Sequence, residues 1–193
     1  MKVQNELQLL LNQKNIQYGN RGTNLENDIN LSNKYYIDQK QAYIYKKPTP
    51  IKISKVDYPS KHNKVSKVVI REAYFEAPST TDYNGIYKGK YIDFEAKETQ
   101  NKTVFPLENI HKHQIEHLRN ITSCGGIGFL IVRFTAHQKN FLLLAEDLFS
   151  YLETSSQKSI PLSYFEEKGY LIEESYLPRL PYLKIIDKIM EVS

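Results

Sequence analysis

The apolar run from Ile127 to Phe134 constrains the fold of this chain more than any other segment. A run that is apolar throughout, rather than alternating with polar residues, is typical of a strand buried on both faces of a sheet. Helices must then cover both faces, and the patterns along the chain follow the order helix, several strands, helix and strand. We therefore predict an α/β domain with a mixed central sheet flanked by helices.

The composition predicts a single soluble domain. A chain of 193 residues with 40% hydrophobic content can remove roughly 70% of its unfolded surface from water and form a core without cross-links. Its one cysteine, Cys124, excludes an intramolecular disulfide and a cysteine-based zinc cluster. We find neither the apolar segment of a signal peptide nor the roughly 20 apolar residues of a membrane span, and we expect a cytoplasmic protein with no membrane partner.

Local signals divide the chain into an N-terminal appendage and one larger domain. Residues 1–18 carry leucine and isoleucine at loosely helical spacing and end at a cluster of helix breakers, which predicts an appendage helix. Residues 19–193 are expected to form the single domain. The capping-box pattern from Thr23 to Glu26 predicts a helix that runs to about Tyr36.

The remaining elements are predicted from alternation, turn residues and periodicity. Strands are expected at residues 42–45, 51–58, 68–75, 86–88, 90–97, 127–134 and 141–144, with turns at residues 59–63 and near Gly89. Pro106 suits the first turn of a helix that runs to about Ile121. The rest of the chain is expected to form short helices. The last of them is anchored by Leu183, Ile185, Ile186, Ile189 and Met190.

Positive charge is concentrated in one segment. From Lys46 to Glu72 the chain has eight basic and two acidic residues, a net of +6, whereas residues 141–193 have nine acidic and five basic residues, a net of −4. The basic segment can attract a polyanion. Tyrosines flank or interrupt it, a mixture that suits phosphate binding with base stacking, although tyrosines that pack on sheet faces give the same composition. These tyrosines are Tyr43, Tyr45, Tyr58 and Tyr74.

Asp82 and the later motif Glu95-Ala96-Lys97 form the skeleton of a metal-dependent phosphodiesterase. Side chains on a strand alternate sides, so a strand here places Asp93, Glu95 and Lys97 on one face. Magnesium prefers oxygen ligands, and Asp82 and Glu95 supply a carboxylate pair. Lys97 can then offset the charge that builds on the attacked phosphate. A glutamate two residues before a lysine also fits a simple surface ion pair.

Two further residues are candidates for the same metal site. Thr80 projects to the same side as Asp82 if that segment is extended. Gln114 interrupts the apolar stripe of the helix after Pro106, which fits either a metal contact or a buried amide bonded to the backbone. Whether Asp93 takes part in catalysis is open.

Three histidines on the predicted helix resemble zinc ligands. His113 and His117 are four residues apart, and His111 is close to them, but the sequence shows no third clear ligand. We therefore expect these histidines to be exposed or near a nucleic acid. Glu26 belongs to the capping box, and its participation in the site is also open.

Four longer motifs resemble the RecU family of Holliday-junction resolvases. In chain order they are Lys46-Lys47-Pro48-Thr49-Pro50-Ile51, Ser79-Thr80-Thr81-Asp82-Tyr83-Asn84-Gly85, Ile92-Asp93-Phe94-Glu95-Ala96-Lys97-Glu98-Thr99 and His113-Gln114-Ile115-Glu116-His117. The resemblance covers about Asn20 to Leu148 and includes Asn33-Lys34-Tyr35-Tyr36.

The resemblance implies a restriction-endonuclease-like fold, a homodimer, and magnesium-dependent paired nicking of four-way DNA junctions in recombination and DNA repair. Manganese is an alternative metal, and recombinase and branch-migration proteins are further candidate partners. By motif match the catalytic residues are Asp82, Glu95 and Lys97. The metal ligands implied in the same way are Thr80, Asp82, Glu95 and Gln114.

In the RecU family the basic hairpin is a stalk that enters the centre of the junction, and here it corresponds to about residues 52–75. The stretch from Pro59 to Val68 is a few residues longer than expected for that family, and residues 1–18 differ from its basic tail. The DNA-binding residues that the resemblance and the charge pattern indicate are Lys46, Lys47, Lys52, Lys55, Tyr58, Lys61, Lys64, Lys67 and Arg71.

Two other functions are compatible with the sequence. The first is a non-catalytic module that binds junctions or regulates a recombinase on a nuclease scaffold. An intact Asp82, Glu95 and Lys97 set argues against it, because clustered acids repel DNA when no metal is bound. The second is a nuclease that acts on linear duplex, for which a long basic hairpin offers few contacts.

Overall fold

The structure is a computed structural model that describes residues 24–59, 67–75 and 80–192. The predicted appendage helix at residues 1–18, Thr23 of the capping box and most of the predicted turn at residues 59–63 lie outside the described residues.

Five helices and ten strands are present in the described residues, numbered here in chain order. They are α1 (Leu25–Asp38), β1 (Ala42–Lys46), β2 (Ile51–Asp57), β3 (Val69–Phe75), β4 (Tyr83–Tyr87), β5 (Lys90–Thr99), β6 (Val104–Pro106), α2 (Lys112–Ser123), β7 (Ile127–Phe134), β8 (Lys139–Leu144), α3 (Ala145–Thr154), β9 (Ser159–Pro161), α4 (Leu162–Lys168), β10 (Tyr170–Ile172) and α5 (Leu183–Val192).

The central sheet has six strands in the order β1-β4-β5-β7-β8-β10. Neighbouring strands are antiparallel except for β5 and β7, which are parallel. A parallel pair needs a long crossover, and α2 lies within the segment that joins these two strands. The predicted mixed sheet is therefore confirmed.

Helices cover both faces of the sheet, as the buried central strand requires. On one face α1 and α5 pack against β4, β5 and β7, with Ile29, Phe94 and Ile186 in the core. On the other face α2, α3 and α4 pack against β7 and β8, with Leu118, Leu148 and Phe165 in the core. Side chains alternate along a strand, so Phe94 lies on the face covered by α1 and α5, and the residues directly before and after it on β5 lie on the other face.

The central strand β7 is buried as predicted, but its apolar run contains one charged residue. Arg133 is only 6% exposed and its Nη2 atom lies 2.6 Å from Asp28 Oδ2 on α1, which is fully buried. Glu174 Oε1 lies 3.2 Å from the same Arg133 nitrogen. The interpretation of residues 127–134 as apolar throughout was wrong, because acids from two distant segments compensate a buried guanidinium here.

The first helix begins one residue later than its capping-box pattern suggested. Asn24 is the N-cap, and its side chain accepts a hydrogen bond of 2.8 Å from the backbone N–H of Asn27. Glu98 Oε1 accepts a second bond of 2.9 Å from the N–H of Leu25. Strand β5 thereby fixes the start of α1, and the helix continues to Asp38 rather than ending at Tyr36.

The helix predicted from Pro106 was wrong at its start. Residues Val104–Pro106 instead form β6, which pairs with β9, and a 3-10 turn at Leu107–Asn109 follows. The backbone N–H of Leu107 donates to Lys158 O, so pairing with a segment about fifty residues away draws this stretch out of the helix. Helix α2 begins only at Lys112. The short strands β9 and β10 were also missed by the sequence analysis.

The structure contains the two predicted hairpins, although β4 spans Tyr83–Tyr87 rather than residues 86–88. Strands β4 and β5 are joined by Lys88 and Gly89, which both have positive φ angles, 47° and 77°, as a type I′ turn requires. Strands β2 and β3 pair antiparallel from Ile51 with Phe75 to Asp57 with Val69 and form a separate two-stranded sheet. Most of their side chains are exposed, so this hairpin projects from the domain.

Among the helices of the described residues, none is long and apolar enough to cross a membrane.

The buried Arg133 pair gives a stability prediction. Replacing Arg133 by Met leaves the acid of Asp28 buried without its main counter-charge, so the free energy of unfolding should fall by about 3–5 kcal/mol in denaturant titrations followed by circular dichroism. Lys139→Met on β8 is the control, because its partner Glu166 is exposed and the pair is expected to contribute under about 1 kcal/mol. Equal losses for the two variants would contradict the assignment.

Candidate functional site

Asp82 and Glu95 meet because of the pairing between β4 and β5. The register places Tyr83 opposite Phe94 and Asn84 opposite Asp93, so the next residue toward the N-terminus lies opposite Glu95. The backbone N–H of Asp82 donates to Glu95 Oε2 at 3.0 Å, and the N–H of Ala96 donates to Asp82 Oδ2 at 3.4 Å. The two acids predicted from sequence are therefore neighbours across the paired strands β4 and β5, with Asp82 immediately before β4 and Glu95 within β5.

Lys97 lies beside this pair. Its Nζ atom is 2.7 Å from Glu95 Oε1, and its side chain is partly exposed while that of Glu95 is buried. The alternation along β5 puts Asp93, Glu95 and Lys97 on the face covered by α2, as predicted. The Lys97 ammonium group thus neutralises part of the negative charge of Asp82 and Glu95, and it remains accessible to solvent.

Burial makes Glu95 an unusual acid. Its side chain has no exposed surface, and desolvation raises its pKa to about 7, with repulsion from Asp82 acting in the same direction and Lys97 opposing it. Glu95 Oε1 receives no well-directed hydrogen bond from the described residues and has only the ion-pair contact with Lys97. A buried carboxylate oxygen in this state is incompletely compensated.

These features fit a divalent cation. Two adjacent carboxylates, one with an oxygen contacted only by the Lys97 ammonium group among the described residues, are the ligands that Mg²⁺ prefers. One or two carboxylates suffice when waters and a substrate phosphate complete the shell. No group of three acidic, histidine or cysteine side chains with metal-binding geometry occurs among residues 24–59, 67–75 and 80–192. The protein would therefore supply Asp82 and Glu95 and leave most positions to water and substrate.

The structure shows Gln114 and Thr80 in other contacts. Gln114 is 4% exposed, and its Oε1 accepts a bond of 2.9 Å from the N–H of His111 in a capping box at the start of α2. The chain bends at Thr80 and Asp82, so the extended segment assumed from sequence is absent, and the Thr80 hydroxyl lies 3.4 Å from Thr81 O. Their roles as metal ligands stay predictions.

The histidines of α2 have different surroundings. His111 caps the helix and stacks on His113, with ring centroids 5.4 Å apart. His117 points at the sheet instead, with Nε2 3.1 Å from Asp93 Oδ2.

Asp93 is the centre of a second polar cluster on the same face, which we call the Asp93 cluster. It comprises Asp93, Lys47, Thr81, Tyr91 and His117. Lys47 Nζ lies 2.8 Å from Asp93 Oδ2 and 2.9 Å from Thr81 Oγ1, and the Thr81 hydroxyl donates to Asp93 Oδ1. Sequence reasoning missed Thr81, because a threonine before an acid carries no distinctive pattern. Lys47, which was predicted to bind DNA, forms an ion pair with Asp93 here.

A solvent-open cleft borders the acidic pair on the side of α1. Glu26 lines this cleft and forms an ion pair with Lys46, with Nζ and Oε1 2.6 Å apart. The residues that line it are Asn24, Leu25, Glu26, Asp82, Tyr83, Ala96, Lys97 and Glu98.

The projecting hairpin of β2 and β3 is basic and exposed. Lys55 lies 3.9 Å from Glu72, and Arg71 pairs with Asp57, while Tyr58 is 67% exposed. Tyr43, Tyr45 and Tyr74 are also about half exposed, so these tyrosines do not pack in the core of this chain. Lys52 and Lys67 are exposed as well, whereas Lys61 and Lys64 lie outside the described residues.

Comparison with known proteins decides the family. The family model for recombination protein U (RecU) matches residues 20–188. This chain belongs to the RecU family. A Holliday junction resolvase RecU of Pediococcus pentosaceus is 54% identical over 177 residues, which are 90% of this chain and 86% of that protein. The Holliday junction resolvase RecU of Bacillus cytotoxicus is 50% identical over 175 residues, 89% of this chain and 86% of that protein.

A solved structure shows a more distant likeness. The Holliday junction resolvase Hjc of Archaeoglobus fulgidus superimposes with a TM-score of 0.39 over 72% of this RecU-family chain and 92% of Hjc, at 8% identity. The assignment to the RecU family depends on the sequence relatives and not on this likeness.

The acidic pair gives a prediction about metal binding without DNA. Mg²⁺ at about 100 times its dissociation constant should stabilise the wild type by about 2.7 kcal/mol, and Asp82→Asn should lose this gain. In the absence of metal the same variant should match or exceed the wild-type melting temperature, because the charge that opposes buried Glu95 is gone. If the loss of this repulsion stabilises the folded state by about 1 kcal/mol, the melting temperature should rise by about 2–4 °C.

Differential scanning calorimetry with and without Mg²⁺ provides the measurement. Asp38→Asn is the matched control, since Asp38 is an acid at the far end of α1 paired only with Lys34 among its described ion-pair partners. It should keep the full Mg²⁺ effect. An unchanged Mg²⁺ effect in Asp82→Asn would remove Asp82 from the metal site.

Proposed function

We propose that this protein is a divalent-metal-dependent endonuclease that resolves Holliday junctions by paired, symmetric nicks during recombination and DNA repair. The observation that carries the proposal is the meeting of Asp82, Glu95 and Lys97 where β4 pairs with β5, in a chain of the RecU family. A non-catalytic junction-binding module, the alternative, has no use for a repulsive acid pair of which one member, Glu95, is buried.

The roles of the three residues follow from their surroundings. When bound, Mg²⁺ supplies a Lewis acid that polarises a phosphate and lowers the pKa of water. Asp82 and Glu95 would hold the cation, and Asp82 also lines the open cleft. Lys97 is close enough to Glu95 to share its charge, and its partly exposed ammonium group can turn to a phosphate oxygen and stabilise developing negative charge. Mg²⁺, with Mn²⁺ as an alternative, is the proposed cofactor.

The hairpin of β2 and β3 supports a junction as substrate and a second copy of the chain as partner. Cross-strand neighbours share a face, so Ile51 and Ile53 lie with Phe75 on one face of the hairpin base, and Lys52 lies with Tyr74 on the other. Ile51 is 58% and Phe75 76% exposed, which is unfavourable for a free arm in water. We assign the apolar face to a two-fold dimer and the lysine and tyrosine face to DNA.

A dimer also fits the geometry of the reaction. A four-way junction offers two equivalent phosphates, and a closed two-fold assembly carries one acidic pair for each of them. A cytoplasmic location and contacts with recombinase or branch-migration proteins stay predictions.

Cleavage of synthetic junctions tests the activity. With Mg²⁺ the wild type should nick four-way junctions at symmetric positions and leave a linear duplex of the same sequence intact. Asp82→Ala and Lys97→Met should reduce the single-turnover rate by about 100-fold or more while junction binding without metal persists. Lys90→Met is the control, since Lys90 is an exposed lysine at the other end of β5. Cleavage of duplex and junction at equal rates would reject a resolvase, and binding without any cleavage would favour the non-catalytic module.

The dimer is tested separately by light scattering and sedimentation. Ile53→Asp should raise the dimer dissociation constant about 100-fold, which is about 2.7 kcal/mol, because it places a charge in the apolar face. Lys52→Ala, its neighbour on the opposite face, should leave the dimer intact and weaken junction binding. A monomeric wild type at micromolar concentration would contradict the assignment of the apolar face.

A further inference from the structure

Asp93 is buried as completely as Glu95 but is fully engaged by donors. Its Oδ1 accepts from the Thr81 hydroxyl, and its Oδ2 accepts from Lys47 Nζ at 2.8 Å and from Tyr91 OH at 3.1 Å. His117 Nε2 is a further neighbour of Oδ2 at 3.1 Å. A carboxylate has about four acceptor positions, so little capacity is left for a metal ion. Asp93 is thus ill suited to ligate metal although it lies two residues from Glu95.

Two members of the Asp93 cluster also hold the backbone around Asp82. Thr81 precedes Asp82 in the chain. Lys47 follows β1, and its backbone N–H donates to Asp82 O at 2.7 Å, which extends the pairing of β1 with β4 by one residue. Lys47 therefore binds Asp82 through its main chain and Asp93 through its side chain. Asp82 is therefore held by its chain neighbour Thr81 and by Lys47 on the next strand, and both side chains bond to the buried carboxylate of Asp93.

Such an anchor is needed because Asp82 lies just outside the regular sheet. Strand β4 begins at Tyr83, and the chain bends at Thr80 and Asp82. The carboxyl groups of Asp82 and buried Glu95 interact electrostatically, and when both are ionised and no cation is bound their repulsion favours separation. Because the segment before β4 lacks the regular hydrogen bonds of the sheet, this repulsion can displace it unless other hydrogen bonds hold it in place.

We propose that Asp93 is a positioning residue that sets the distance between the Asp82 and Glu95 carboxylates through Thr81 and Lys47. Asp93 touches neither substrate nor metal in this scheme. The inference rests on the proposed function, because it concerns the same acidic pair. Outer groups that orient metal ligands typically contribute 10–100-fold to metal affinity.

The test compares two substitutions that each remove one hydrogen bond to Asp93. Thr81→Val removes the bond on the Asp82 side and keeps the side-chain shape, whereas Tyr91→Phe removes a bond from β5 itself. Mn²⁺ binding to the DNA-free protein, measured by electron paramagnetic resonance, should weaken about 10-fold or more in Thr81→Val. It should stay within about 2-fold of wild type in Tyr91→Phe and in the rescue variant Thr81→Ser, which keeps the hydroxyl.

Hydrogen exchange supplies a second measurement. The Lys47 amide, which binds Asp82 O, should exchange faster in Thr81→Val and at the wild-type rate in Tyr91→Phe. Equal metal affinity in Thr81→Val and wild type would overturn the inference. So would equal losses in Thr81→Val and Tyr91→Phe, since they would indicate that Asp93 only stabilises the fold.

A third variant covers the case in which Thr81→Val does not fold. Asp93→Asn keeps the shape and an acceptor for Thr81 but loses the charge that holds Lys47, and it should also weaken Mn²⁺ binding about 10-fold. Unchanged binding in that variant rejects the inference. A wild type that binds Mn²⁺ but cuts no junction would reject the proposed function and leave the affinity comparison valid.

Discussion

The antiparallel pairing of β4 with β5 is the interaction on which the site depends. It brings an aspartate at the edge of one strand opposite a glutamate inside the other, and burial of Glu95 raises its pKa to about 7. Two acids held this close are unfavourable in the absence of a counter-ion. The rest of the domain provides the rigidity that keeps them together: a sheet covered on both faces, with β5 bonded to strands on both sides.

The sequence was sufficient for the parts of the site that depend on local geometry. Alternation along β5 put Asp93, Glu95 and Lys97 on one face, and Gly89 marked the turn that fixes the register with β4. The strand prediction at residues 86–88 still included Lys88, whereas the structure puts Lys88 in the turn, and this register makes Asp82 the partner of Glu95. The RecU motifs identified the same acids independently. Local rules therefore predicted the shared face of β5, whereas the motifs predicted the acidic pair.

The missed features depend on contacts between distant segments. The burial of Arg133 in a largely apolar strand is explained by its ion pair with Asp28, which is about one hundred residues earlier in the chain. The late start of α2 results from the pairing of β6 with β9, which no local pattern near Pro106 indicates. Thr81 and Lys47 come together only after β1, β4 and β5 have paired. Propensity and periodicity describe neighbours in sequence, so they carry no information about such partners.

Asp93 and Glu95 illustrate how surroundings assign different roles to equal side chains on one strand face. Asp93 is bonded to Lys47, Thr81 and Tyr91, so its charge is compensated within the protein. Glu95 contacts the Lys97 ammonium group and the backbone N–H of Asp82, and the Asp82 carboxylate is its acidic neighbour. One of its oxygens receives no directed hydrogen bond from the described residues. A carboxylate that is already satisfied stabilises structure, whereas one left short of positive charge favours a cation. The difference between anchor and ligand thus arises from the donors that reach each acid and not from the acids themselves.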